Sequence, residues 1–281
     1  MEKTEKKVTL TAHRGWRAKY PENTMRSFRE ALTLDIDAIE MDAHMTKDYH
    51  IVICHDANLA RTTDTEGNIY EMTLEEIRKA DAGIKFGEDF RGEKIPTMEE
   101  FLELMASRPD IKLLLELKDY PEELGDFAYA SAEQTLSLCK RYGVFGKDRL
   151  TVITFSTGIC AWLRTRYTKE DFSIHGFYPK TKMRGWEKDE PYKYYDEVCL
   201  FNKGEKDPQG MPITRDSVVA DKARFKEFEL MGITPCVYYR MNTDEEVYRQ
   251  SLENGAIGFT CDHPDICGEI LDKLGARKLK R

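Results

Sequence analysis

Short apolar runs recur along nearly the whole chain, with helical periodicity between many of them. This alternation restricts the chain to folds built from repeated βα units. The runs are Thr9–His13, Ala38–Asp42, Ile51–His55, Lys112–Glu116, Leu150–Phe155, Ser173–Phe177, Glu197–Phe201, Thr234–Tyr239 and Ala256–Thr260. Nine strands are one too many for an eightfold barrel. The link Ala43–His50 is too short for a crossover helix, which needs roughly a dozen residues, so the second and third runs are read as an antiparallel hairpin or a barrel strand with an annex. Eight parallel positions remain. The expected fold class is α/β, a (β/α)8 TIM barrel with one additional hairpin strand. An open doubly wound sheet is the rival, but no glycine-rich first turn of the G-x-G-x-x-G kind is present.

Local signals place several helices between these runs. Met98, Phe101, Leu102 and Met105 make one apolar face, and Thr97 with Glu100, Thr73 with Glu76 and Thr243 with Glu246 read as capping boxes. Asn23 or Thr24 is the expected N-cap of the helix that carries Phe28 and Ala31. The least regular stretch, Tyr178–Thr214, is rich in lysine and aromatic residues and reads as a long loop over the barrel mouth.

At 281 residues the chain can bury roughly three quarters of its unfolded surface, and residues 1–281 are read as one barrel domain. A net charge of −8 disfavours a nucleic-acid groove but leaves room for a small cationic pocket. No apolar stretch approaches the roughly 18 residues of a membrane span, and Met1–Lys7 has no signal-like core. Seven cysteines without a CxxC or a zinc-ligand spacing read as reduced, core-filling thiols, so a cytoplasmic location is expected.

The chemistry is concentrated at the ends of the early runs. Glu40 and Asp42 are two apart and so share one face of a strand. Holding both inside a barrel needs a compensating cation. A divalent ion, Mg2+ or Ca2+, with Glu116 arriving from another strand end, meets that need, whereas a solvated rim would tolerate the pair without an ion. His13 and His55 border this cluster and suit proton transfer, although a lone strand-end histidine is often a packed residue. Arg14 and Lys118 can neutralise phosphate oxygens. Glu22 either joins the metal shell or starts a helix.

Several ordered motifs then carry a family resemblance. H-R-G at 13–15, P-E-N-T at 21–24, E-M-D at 40–42, H-D at 55–56, R-T-T at 61–63, I-P-T at 95–97 and E-L-K at 116–118 are followed by Asn242 and Asp262-His263-Pro264. In this order and spacing the chain resembles the glycerophosphodiester phosphodiesterases. The resemblance implies a (β/α)8 barrel that hydrolyses glycerophosphodiesters to an alcohol and glycerol 3-phosphate with one divalent cation. It implies His13 and His55 as the acid–base pair, Glu40, Asp42 and Glu116 as metal ligands, and Arg14, Lys118 and Tyr239 as phosphate or substrate contacts. Glu22, Asn23 and Phe155 are expected as supporting residues. Related enzymes can proceed through attack by the neighbouring glycerol hydroxyl and a cyclic phosphate. The chain departs from the pattern at Thr154, where Ser is usual, at Tyr239, where Trp is common, and at Cys261, where Thr usually precedes the Asp. The expected partner is therefore a small glycerophosphodiester. The alternatives are a lysophospholipid, a sugar phosphodiester, or a noncatalytic role as a phosphodiester binder.

Overall fold

The computed structural model describes residues 8–200 and 220–277. Its sheet comprises β1 (Thr9–His13), β2 (Ala38–Met45), β3 (Ile51–Ile53), β4 (Lys112–Leu117), β5 (Leu150–Ile153), β6 (Ser173–Tyr178), β7 (Glu197–Leu200), β8 (Thr234–Tyr238) and β9 (Gly258–Cys261). The order β1-β9-β8-β7-β6-β5-β4-β2 closes on itself through a parallel β1–β2 pairing. Eight parallel strands thus make the barrel, and β3 hangs antiparallel on β2 as the hairpin that the short link required. Every residue of β2 is buried, as expected of a parallel strand covered on both faces.

The register builds the site. His13 is the Cα partner of Glu40, and Asp42 that of Glu116, so three neighbouring strands set these side chains beside one another at their carboxyl ends.

Helices pack outside the barrel. Residues 98–106 bury Met98, Phe101, Leu102 and Met105, and their start at Thr97 is a complete capping box, as is that at Thr73. Thr24 is the N-cap of Met25–Ala31. The third expected box is displaced: Asp244, not Thr243, caps Glu245–Asn254 and accepts from the Glu246 amide. Asp is at least as good a cap as Thr, so the competing start wins.

Val52 of β3 and the stretch that follows it form a second small core with Cys54, Leu59, Ile69, Ile77, Ala80, Ala82 and Ile95. The expected mouth loop at 178–214 is described only in part. Short 3-10 turns at Lys180–Lys182 and Pro191–Tyr194 lead into β7, while Trp186, Tyr192, Tyr194 and Tyr195 pack against the main core. Residues 201–214 lie outside the described residues.

Tyr195 occupies the space that a side chain at Gly176 would take: a Cβ there would meet the phenol ring at 1.9 Å. Gly176→Ala is therefore expected to destabilise the barrel by about 1–3 kcal/mol or more through overpacking, read as a lower urea midpoint at unchanged m-value. All seven cysteines are buried and free of disulfides. No helix among the described residues is long and apolar enough to cross a membrane.

Candidate active site

A cavity of about 450 Å3 opens at the carboxyl ends of the strands, lined by His13, Arg14, Glu40, His55, Glu116, Phe155 and Tyr238 among others. His13 ends β1. Its Nδ1 lies 2.6 Å from Asp262 Oδ1, just past β9, and 3.0 Å from the Tyr238 hydroxyl oxygen. Next to a carboxylate, Nδ1 carries the proton of the neutral ring, and Nε2 is left as the acceptor. Burial and the neighbouring Arg14 cation lower the His13 pKa to about 4 against the opposing pull of Asp262, which keeps the ring neutral near pH 7.

His55 follows β3 and repeats this device. Its Nδ1 stands 2.5 Å from Asp56 Oδ1, and Asp56 in turn accepts from Arg61 Nε. The His55 hydrogen bond and Arg61 hold the Asp56 carboxyl well below the usual range. Each imidazole therefore has a carboxylate behind it and borders the same cavity.

Glu40, Asp42 and Glu116 are all buried, with one oxygen of each lying within 4.8 Å of the others. Burial and the Asp42 charge raise the Glu40 pKa well above its ordinary value. Burial acts on Asp42 in the same sense, but Arg14 and Lys118 outweigh it and keep that carboxylate ionised. The cations stand close: Arg14 Nε is 3.1 Å from Asp42 Oδ2, and Lys118 Nζ is 2.8 Å from Glu116 Oε1 and 3.5 Å from Asp42 Oδ1. Asn23 Nδ2 donates to Asp42 Oδ2 at 2.8 Å, and the Arg14 backbone amide donates to Glu40 Oε2 at 2.9 Å. Arg14 and Asn23 both hold left-handed backbone conformations, with φ of 55° and 57°, which aim these groups inward. Asp42 Oδ1 is buried and accepts no hydrogen bond. Three clustered carboxylates, one of them with an oxygen that accepts no hydrogen bond, fit a hard divalent cation.

Glu22 does not reach this cluster. It sits among Arg14, Arg17 and Arg61, accepting at 2.9, 2.8 and 2.7 Å. Burial would raise its pKa, but the Arg61 hydrogen bonds and the other guanidiniums lower it to about 2. A depressed folded-state pKa stabilises above the unfolded value and loses that contribution as pH falls. Glu22→Gln is expected to be less stable than the parent near pH 7 by up to about 3 kcal/mol, and the gap should close as pH drops from 4.5 toward about 2. Urea unfolding across that range checks it, and a pH-independent gap would remove the ionic assignment.

Two expectations about the pocket wall change. Tyr239 does not line the cavity; its hydroxyl lies against Ser251 in the helix outside the barrel, and the ring is buried there. Adjacent residues at a strand end face opposite ways, so Tyr238 takes the inward position. Phe155 does line the cavity, stacked on Phe177 at 3.7 Å between ring centroids. Lys118 stays beside the carboxylates behind the cavity wall. Sequence reasoning left Asp262, Arg17, Arg61 and Tyr238 without roles. Asp262 carried a usable signal, since it stands two residues past the carboxyl end of the Ala256–Thr260 run.

Fold and site together define a (β/α)8 barrel whose strand ends hold a histidine-flanked acidic cluster, the layout of barrel enzymes. The chain belongs to the glycerophosphoryl diester phosphodiesterase family, whose model matches residues 13–266. It is 41% identical to a glycerophosphodiester phosphodiesterase of Caldanaerobacter subterraneus over 151 residues, 53% of this chain and 59% of that protein. The matched stretch spans about half the length of the first curated relatives. A rat lysophospholipase D is 27% identical across 94% of this chain and 86% of its own. The fold is that of an Oleispira antarctica phosphodiesterase solved in complex with sn-glycerol-3-phosphate, at a TM-score of 0.74 and 21% identity over 95% of this chain and 97% of that one.

Proposed function

We propose that this chain hydrolyses glycerophosphodiesters to an alcohol and sn-glycerol 3-phosphate, with His13 and His55 as the acid–base pair. The observation that carries the reading is the pair of carboxylate-backed imidazoles, His13–Asp262 and His55–Asp56, bordering one cavity with the acidic cluster. Hydrolysis of a phosphodiester needs one proton removed from the attacking oxygen and one delivered to the departing alkoxide. Two imidazoles on one cavity meet both needs, one ring for each transfer. Asp262 and Asp56 fix the tautomer and ring orientation and stabilise the charged ring that forms.

Glu40, Asp42 and Glu116 are the residues that would hold one divalent cation, Mg2+ or Ca2+. When bound, it supplies positive charge to the nonbridging oxygens as their charge grows. Arg14, on the cavity wall, and Lys118, behind the carboxylates, add fixed positive charge from the protein side. The stacked Phe155 and Phe177 rings give the cavity an apolar wall against which a carbon skeleton packs.

The assay is release of glycerol phosphate from glycerophosphocholine, glycerophosphoethanolamine and glycerophosphoglycerol in Mg2+, Ca2+ or chelator. Metal-dependent release from at least one diester is expected, and none from any of them overturns the proposal. The likeness to the rat lysophospholipase D over nearly the whole chain favours one second reading, release of the headgroup from a single-chain lipid. Faster turnover of lysophosphatidylcholine than of glycerophosphocholine would establish it.

A further inference from the structure

We propose that the base of the barrel, at the opposite end from the acidic cluster, holds a second metal site of a different kind, a borderline-soft divalent ion such as Zn2+ bound by His175, Glu197 and Cys236. The three residues come from three consecutive strands, β6, β7 and β8, and His175 is the Cα partner of Glu197. One donor atom of each, nitrogen, oxygen and sulfur, lies within 4.8 Å of the other two. Imidazole, carboxylate and thiolate together are a donor set that zinc takes and that Mg2+ and Ca2+ do not.

The surroundings are built for such a centre. Glu197 Oε1 is occupied by Lys112 Nζ and Thr151 Oγ1, both at 3.2 Å. That arrangement turns Oε2 toward His175 Nδ1, which is 3.2 Å away. Partners that orient a ligating carboxylate in this way are the usual outer support of a metal site. The Cys236 sulfur lies over Gly258, where a Cβ would come within 2.6 Å of it, so only glycine leaves the thiol its place. A separate cavity of about 140 Å3, lined by Thr9, Lys112 and Thr234 as well as the three donors, provides an entry path and space for a fourth, water ligand. Burial and the Glu197 charge keep the Cys236 thiol protonated without an ion. Binding therefore forms the metal–sulfur bond as the S–H proton leaves to solvent. His175 also lines the cavity at the barrel mouth, so an ion on its Nδ1 would fix the ring that floors the active site.

The test is a Co2+ titration of the purified, metal-stripped full chain in excess Mg2+, which keeps the all-oxygen site filled. A near-ultraviolet thiolate-to-Co2+ charge-transfer band is expected in the parent and in Glu40→Gln, with Zn2+ displacing it. Cys236→Ser should abolish the band. If that variant fails to fold, His175→Gln should weaken it at least tenfold in Co2+ affinity. A folded parent that saturates with Co2+ without a thiolate band, or a band that survives both substitutions, overturns the site. Diester hydrolysis does not enter this readout, so it stands or falls apart from the activity proposed above.

Discussion

His13→Ala is expected to lower kcat toward glycerophosphodiesters by about 10²–10⁴-fold while leaving KM close to the parent value, and His55→Ala to do the same. The split follows from what the rings touch. The buried His13 is neutral near pH 7 and so carries no formal charge that would anchor a phosphate in the ground state. In the proposed acid–base roles the work of both rings falls in the transition state, where a proton is in motion. Folding should survive the His13 change, because Asp262 keeps a 3.0 Å bond to Arg17 Nη1 and is not left as an unpaired buried charge. Two rings proposed to serve one proton cycle act as a unit, so the double variant should lose far less than the product of the single losses. Steady-state kinetics on the three proteins, with circular dichroism to confirm folding, decides the matter. Near-parental turnover in both single variants would remove the proton-transfer roles.

How much of this was legible follows from which physical signals sequence carries. Parallel strands buried on both faces read as apolar runs, so the barrel strands, and with them the His13, Glu40, Asp42 and Glu116 positions, could be placed from the runs and the spacing at their ends. The hairpin strand followed from a link too short for a helix. What failed was anything decided by a single residue or by irregular backbone. Tyr238 and Tyr239 differ only in which face they present, and the face turns over with every step along a strand. Arg17 and Arg61 reach Glu22 from segments with no periodicity to read, Arg61 from a 3-10 turn in the excursion between β3 and β4. Asp262 pairs with a histidine 249 positions earlier, a contact that only barrel closure creates. The cluster at the barrel base was invisible for the same reason, since His175, Glu197 and Cys236 show no ligand spacing and meet only through strand register.

Saturating Mg2+ or Ca2+ is expected to raise the melting temperature of the parent by roughly 5 °C or more, and Asp42→Asn to lose that shift together with most of the turnover. A ligand at about a hundred times its dissociation constant stabilises by about 2.7 kcal/mol, and on a chain of this size each kcal/mol moves the midpoint by a few degrees. The structure says why the gain should be large. Three buried carboxylates face one another with Arg14 and Lys118 as the nearest cations, and burial together with repulsion from Asp42 pushes Glu40 well above its ordinary pKa. A cation among these oxygens would relieve that repulsion and coordinate Asp42 Oδ1, which accepts no hydrogen bond. Asp42→Asn should remain folded in chelator, because Arg14 keeps Glu22 and Lys118 keeps Glu116. The two effects therefore separate: the variant should melt near the metal-free parent and stay there when metal is added. An undiminished shift in Asp42→Asn would place the ion elsewhere. No shift in the parent with either ion would mean that the carboxylates are balanced by Arg14 and Lys118 alone.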